Sequence, residues 1–550
     1  MALSAQYKDI LDNAIQAIHA RTFFAQYPEH PKAYGEDAAT QGLEKYNSYL
    51  QQQFTELLQE NPSSWIGEEE SPFTGEKLGI KYPAFDIENI VIRAGRAMSS
   101  WRNVSIDDRA EVLVDSLERI SKRFNEIAYA TMHTTGQAFM MSFQASGPHA
   151  NDRALEALAM GYEELNRFPS SVIWDKPMGK FNVVLQKQFK AVPKGVALII
   201  GCSTFPIWNS VPGMYASLMT GNSIIVKPHP KAVLPIAIVV AEIQQALKAK
   251  GLDPLICQLA VDASDKLITK ELCEHDVVKM IDYTGGSTFG DYVEGLKNKT
   301  VFTEKAGVNS VIIDSVEDLA PVVQNLAFAV SLYSGQMCTA PQNFFIPASG
   351  VKGKDTTHSY EEVVAALKDA IGGIANNPKM AAGTYGAIQN ELTLKRVNSV
   401  KKLDAAILLD SQKVAHMEFP NARSISPIIL ELEAKDFGIY ENELFGPIIL
   451  FIKTKDTEES LRLAKEMSQK HGAITCAAYC TDESIAQKIN DEMELAFTPV
   501  SLNLTGMIWV NQHAAFSDFH VTGGNPAGNA SFTNPEYINK RFVWVGHRKV

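Results

Sequence analysis

Cysteine is scarce in this chain. Six residues, Cys202, Cys257, Cys273, Cys338, Cys476 and Cys480, are scattered through 550, and their spacing builds no disulfide framework. Cys476 and Cys480 adjoin the alternating run 474–479, which fits two strand positions better than a metal site. No histidine cluster joins them, so no metal is expected. No apolar run reaches membrane-spanning length. A basic excess is also missing: 51 Lys and Arg stand against 63 Asp and Glu, a net charge of −12. That balance argues against nucleic acid or an acidic membrane surface as partner. The first twenty residues form an amphipathic pattern carrying Lys8, Asp9 and Asp12, without a signal-peptide core. A reducing cytoplasm is the expected location. Internal repeats and low-complexity tracts are absent.

What is present is a long α/β chain. At 550 residues it needs two or more domains. Tyr7, Leu11, Ile15 and Ile18 recur at helical spacing, and so do Leu43, Tyr46, Leu50, Phe54 and Leu57, which predicts two helices over 1–65. A boundary follows at Glu68-Glu69-Glu70 and the turn 71–75. Helices are expected over 87–101 and 105–128, with Ser105 capping the second. From residue 196 onward, continuous apolar strands alternate with helices: 196–200, 223–226 and 277–281, then a second series from Val311 to Tyr479. Strands without polar alternation, separated by helices, predict parallel sheets covered on both faces.

Chemistry concentrates in a few places. Glu304 ends the β-like run Val301-Phe302-Thr303. Cys338 lies 34 residues on, in the small-residue turn that follows the helical run 319–333. A thiol on a turn and a carboxylate at a strand end can work together on a carbonyl: the thiolate attacks and the base later activates water. Thr284-Gly285-Gly286-Ser287-Thr288-Phe289-Gly290 joins a strand to a helix, where glycine and free N–H groups suit a pyrophosphate. No Walker lysine follows it, which disfavours a nucleoside triphosphate. Lys227-Pro228 follows the strand 224–226, at the end where an open sheet holds its ligand. Glu443 and Phe445, in Glu443-Leu444-Phe445-Gly446-Pro447, point the same way from an extended segment.

As a set in chain order, these motifs resemble the aldehyde dehydrogenase superfamily over residues 66 to 550, including the spacing of Glu304 and Cys338. The resemblance implies two Rossmann-like doubly wound domains with an oligomerisation extension, preceded here by an N-terminal helical extension over 1–65. It divides the chain into a NAD(P)-binding domain over 66–305, with about 505–535 returning near the active site, and a catalytic domain over 306–500. Segments 180–193 and 536–550 become the oligomerisation segments of a homodimer or larger assembly. The N-terminal helices add contacts or cover the substrate mouth. Cys338 is implied as nucleophile and Glu304 as deacylation base. Gly285 and Gly290 fall in the pyrophosphate turn, Lys227 matches the adenosine-ribose lysine, and Glu443 and Phe445 match the nicotinamide-ribose carboxylate and the ring-packing aromatic. The segments 201–209 and 511–529, with the N-terminal extension, are similar to the phenylacetic-acid-degradation PaaN-type aldehyde dehydrogenases. The implied substrate is a small aldehyde, with a CoA-linked semialdehyde from ring opening within its range, and the loop 514–522 lines its tunnel.

Three departures from the family pattern stand out. The asparagine that donates to the oxyanion is Thr204 here, and losing one such donor costs about 3 kcal/mol of barrier. Asn209 is a candidate to compensate. A lysine that the family often carries nine residues beyond the position of Thr204 is Gly213 here. The carboxylate two residues after Lys-Pro is Pro230, which, with His229 and Lys231 near, ranks NADP ahead of NAD. A CoA-acylating dehydrogenase is the alternative acyl transfer, opposed by Glu304. A non-catalytic binding protein on this fold is the alternative of another class.

Overall fold

The computed structural model describes residues 3–305, 307–506, 508, 514–530 and 532–550. Among the described residues the strands pair into three larger sheets and two two-stranded ones. The first has five strands, all parallel, in the order Cys257–Leu259, Ile224–Lys227, Val196–Ile200, Val278–Gly285 and Thr300–Lys305. Helices Val211–Met219 and Leu234–Ala249 connect its strands on one side, and Thr269–Glu274 and Ser287–Glu294 on the other. The chain starts at the central strand and winds outward in both directions, so crossovers diverge at the ends of Val196–Ile200 and Val278–Gly285. Such a switch point opens a crevice at the carboxyl ends of the strands.

The second sheet has seven strands in the order Ala406–Leu409, Ile428–Glu433, Ile448–Thr454, Pro341–Pro347, Asn309–Ile313, Cys476–Tyr479 and Val500–Leu502. All pairs are parallel except Ala406–Leu409 with Ile428–Glu433. Helices Leu319–Ser331 and Tyr360–Ala375 pack together and bury an apolar face against it. The third sheet is antiparallel, Phe542–Lys549 beside Phe181–Pro193 beside Ser171–Met178.

The N-terminal region contains the first expected helix, Ala5–Ala20, which buries Leu11, Ala14 and Ile18. The second is shorter than its spacing predicts. It spans Ala38–Asn47, Gln51 then takes a φ of 60°, and the chain continues extended. Phe54 N–H donates to the Lys81 carbonyl at 2.8 Å, and Leu58 N–H to Gln244 Oε1 at 2.7 Å. Phe54 and Leu57 are buried all the same, because an extended segment docked on its neighbours buries every few residues much as a helix does. The expected helix over 105–128 is likewise two, Ile106–Ser121 and Phe124–Thr135, with Ser105 capping the first by accepting from Asp108 N–H. Among the described residues no helix is long and apolar enough to cross a membrane.

Candidate active site

Four strand ends of the five-stranded sheet deliver the site. Val196–Ile200 runs into the loop carrying Thr204 and Asn209. Ile224–Lys227 ends on Lys227, Val278–Gly285 ends on Gly285, and Thr300–Lys305 carries Glu304. Facing them, Cys338 and Glu443 stand just before two adjacent strands of the seven-stranded sheet, Pro341–Pro347 and Ile448–Thr454.

The Cys338 turn has an unusual backbone. Tyr333, Ser334 and Gly335 take φ values of 54°, 53° and 65°, a left-handed run that costs free energy at the two non-glycine positions. It persists because its neighbours hold it. Tyr333 hydroxyl donates to the Thr135 carbonyl at 2.7 Å, Ser334 hydroxyl to the Gly386 carbonyl at 2.9 Å, and Gln336 amide to the Ala387 carbonyl at 3.1 Å. A Cβ on Gly335 would lie 2.5 Å from the Gly446 carbonyl oxygen. Beyond the turn, Asn309 donates to the carbonyls of Cys338 and Ala340 at 2.8 and 3.1 Å. The thiol is thus carried on a turn braced from both sides.

Cys338 Sγ donates to Glu304 Oε1 at 3.3 Å. His520 Nε2 lies 3.0 Å from the same oxygen, and Asn209 amide donates to Oε2 at 2.8 Å. Glu304 and His520 are 1% and 2% exposed, so bulk water does not stabilise the carboxylate. Burial pushes the Glu304 carboxyl up; the imidazole, thiol and amide more than offset it and hold it below the usual range. Burial, then the Glu304 charge, pushes the Cys338 thiol well above its ordinary value. At rest the sulfur therefore carries its proton, with a carboxylate in place to take it. The ligand atoms of Glu304, Cys338 and His520 lie within 4.8 Å of one another.

Cys338 opens on a cavity of about 340 Å³ with an apolar wall that includes Met140, Phe205, Trp208, Phe328, Leu332 and Met337. Gln144, Asn209 and His149 supply polar points on it, and His149 pairs with Glu29 of the N-terminal extension at 3.0 Å. From the loop after Val196–Ile200 it is Phe205, Trp208 and Asn209 that line the cavity. Thr204 hydroxyl lies 3.9 Å from Cys202 Sγ, and its carbonyl accepts from Gln137 amide at 2.7 Å. The Asn209 amide is engaged by Glu304 as described. Gly213 is explained by its neighbour: a Cβ there would sit 2.7 Å from the Asp282 carboxylate, which Arg541 holds with two hydrogen bonds of 2.6 and 2.8 Å.

Lys227, Gly285, Gly290, Glu443 and Phe445 are not among the residues that line this cavity. Lys227 Nζ is 2.7 Å from Asp262 Oδ1, and burial pushes both groups toward neutrality while each charge holds the other. Gly285 and Gly290 are needed by the protein itself, since Cβ atoms there would lie 2.5 Å from Tyr283 hydroxyl and from the Lys305 side chain. Gly286 is the open position, with nothing within 4 Å of a Cβ, and it caps helix Ser287–Glu294, whose first N–H groups suit an anion. Glu443 is half-buried and accepts no hydrogen bond from a described residue; burial raises it to about 8, opposed only by the Arg396 charge. An open helix N-terminus for a diphosphate and an unengaged acid for a diol fit a dinucleotide.

His520 and its role beside Glu304 are not legible in sequence. It lies 216 residues from Glu304 in a segment without periodicity. Residues 511–513, part of the motif noted in the sequence, lie outside the described residues.

A model of the Aldehyde dehydrogenase family matches residues 65–540. The crystal structure of a NAD-dependent aldehyde dehydrogenase from Burkholderia multivorans superposes with a TM-score of 0.97 at 40% identity, over 100% of this chain and 99% of that one. An alpha-ketoglutaric semialdehyde dehydrogenase of Bacillus subtilis is 25% identical, over 70% of this chain and 75% of its own. A benzaldehyde dehydrogenase of Pseudomonas putida is 22% identical, over 85% and 92%. The chain belongs to the aldehyde dehydrogenase family, whose members include NAD- and NADP-dependent enzymes.

Proposed function

We propose that this enzyme oxidises an aldehyde with an apolar body to the carboxylic acid, through a thioester on Cys338. The observation that carries the reading is the hydrogen bond from Cys338 to a buried Glu304 at an apolar cavity. Cys338 sulfur loses its proton to Glu304 and attacks the carbonyl carbon. The backbone N–H groups of the turn and the polar points on the cavity are the donors available to the oxyanion, and Thr204 contributes little from its place beside Cys202. The hydride would pass to a nicotinamide held beside the thiol. Glu304 gives up the thiol proton to solvent and, ionised again, takes a proton from a water, whose oxygen displaces the Cys338 sulfur and releases the acid.

Lys227 and Asp262 would hold the adenosine ribose, Gly285 through Gly290 the diphosphate, Glu443 the second ribose and Phe445 the nicotinamide face. Lys227 is already neutralised by Asp262, and burial holds His229 near pKa 4, neutral at pH 7. Both features favour NAD over NADP, against the order suggested by residue types alone, and the 40% identical relative is described as NAD-dependent. The apolar wall fits an aromatic or long aliphatic aldehyde. A semialdehyde from aromatic-ring degradation, in the manner of the PaaN-type enzymes, lies within that class. Two or more copies associate through the exposed three-stranded sheet.

The test is reduction of NAD and of NADP with aromatic, aliphatic and CoA-linked aldehydes, with and without free CoA, identifying the acyl product. A CoA-independent acid is expected. A thioester formed only with CoA would move the acyl acceptor from water to CoA. Cys338→Ala should abolish turnover in a folded protein, and Glu304→Gln should slow steady turnover more than the first-turnover burst. Full turnover in Cys338→Ala would remove the sulfur from the mechanism.

A further inference from the structure

A buried carboxylate that must receive a proton at one place faces two difficulties. Its charge is costly away from water, and its side chain must not swing away from the reacting atom. Glu304 meets both with side chains from three separate segments. Asn209 occupies Oε2. His520 and Cys338 share Oε1. An ionised carboxylate only accepts, so Nε2 of His520 carries hydrogen and donates it, leaving the rest of Oε1 to the thiol.

The structure spends much on holding His520 there. Its ring packs edge-on against Trp208 at 4.7 Å and tilted against Phe532 at 5.7 Å. The chain just after it is laced to the Glu304 strand: Ala527 carbonyl accepts from Lys305 N–H at 2.6 Å, and Asn529 Oδ1 accepts from Thr303 N–H at 2.8 Å. From the other side, buried Glu156 accepts from Phe516 N–H at 3.1 Å and from Thr533 hydroxyl. Its partner Arg153, 3.0 Å away, lies under the Trp208 ring. The N-terminal extension closes the assembly. Arg21 stacks on Phe519 at 4.2 Å and donates to the Thr533 carbonyl at 3.3 Å, and Phe24 packs on Phe516 at 5.0 Å.

We propose that His520 is a positioning residue of the reaction: its Nε2–H fixes Glu304 Oε1 at the Cys338 sulfur, where the carboxylate accepts the thiol proton, releases it to solvent, and then accepts the proton of the hydrolytic water. The inference rests on Glu304 being the base. In the second step an O–H bond of water breaks, its proton goes to Oε1, the new C–O bond forms, and the C–S bond breaks with its electron pair returning to Cys338.

An activated ester tests this without cofactor. With p-nitrophenyl acetate, the burst of nitrophenolate reports acylation of Cys338, and the steady rate reports hydrolysis of the acetyl thioester. His520→Phe keeps a ring between Trp208 and Phe532 and loses the donor. His520→Gln keeps an N–H donor and loses the ring. We expect His520→Phe to retain a one-equivalent burst, which shows a folded, reactive site, and to lower the steady rate by about 10–100-fold; His520→Gln should recover to within about fivefold of the parent. A His520→Phe enzyme as fast as the parent, or a His520→Gln enzyme as slow as His520→Phe, would overturn the proposal. Glu304→Gln in the same assay separates the two readings. If it hydrolyses at the parent rate, the base assignment itself falls. If it is slow while His520→Phe is normal, only the role of His520 falls.

Discussion

Glu443 is the acid whose state is least like its ordinary one. With its pKa raised to about 8 by burial, it is mostly protonated at pH 7. Two ribose hydroxyls donating to it would favour the ionised form and lower that pKa, so cofactor binding at pH 7 should release a proton. The sign follows directly: below about 8 the free enzyme must give up a proton to bind, so affinity should rise with pH and level off above 8. Calorimetry in buffers of different ionisation enthalpy should show this release, and Glu443→Gln should abolish it and flatten the pH dependence. Release unchanged in Glu443→Gln would take this residue out of the ribose site. At this scale the sequence was informative where a residue belongs to a fixed spacing, as with Cys338 and Glu304. It was silent on Asn209 as a partner of Glu304 and on His520, because those contacts span 95 and 216 residues and arise only when separate loops converge. Gly285 and Gly290 were legible as glycines, but the reason for them, the packing of Tyr283 and Lys305, was not.

Elements position these residues through a few close approaches. Gly472 ends helix Thr457–His471 with φ 86° and ψ 148°, a region that side chains avoid, and a Cβ on it would lie 2.0 Å from Ala527 N. Ala527 belongs to the stretch laced to the Glu304 strand, and Gly528 bridges Glu304 itself. Gly472→Ala should therefore cost about 1–3 kcal/mol in backbone strain alone. It should also displace the stretch, so steady ester hydrolysis should fall along with the thermal midpoint. A variant that loses stability with hydrolysis intact would show that the stretch moves without moving Glu304 or His520. The buried strands were readable because parallel strands covered on both faces are continuously apolar. The second N-terminal helix was overextended because Leu50, Phe54 and Leu57 recur at helical spacing for a different reason, the docking of an extended segment against Lys81 and Gln244.

At the scale of the whole molecule, the three-stranded sheet is a surface that the rest of the described chain leaves uncovered. One face of the three-stranded sheet exposes Ile173, Val184 and Val543, each between 47% and 69% accessible, and Met178 and Phe181 are exposed on the other. Ser171–Met178 is its edge, with no further strand beside it among the described residues. An apolar face with an open strand edge invites a partner, because water leaves the side chains unfavourably hydrated and the edge offers unpaired backbone groups. A second copy of the chain satisfies both needs at once in a symmetric, self-complementary interface. The sheet stands apart from Cys338, Glu304 and His520, so its removal from the assembly need not disturb the chemistry. Ile173→Glu combined with Val184→Glu should place charges on the apolar face they share and shift the light-scattering mass of the purified protein toward that of one chain, with the nitrophenolate burst retained. An unchanged mass in the double variant would assign the assembly, if there is one, to another face and leave this sheet as an exposed arm.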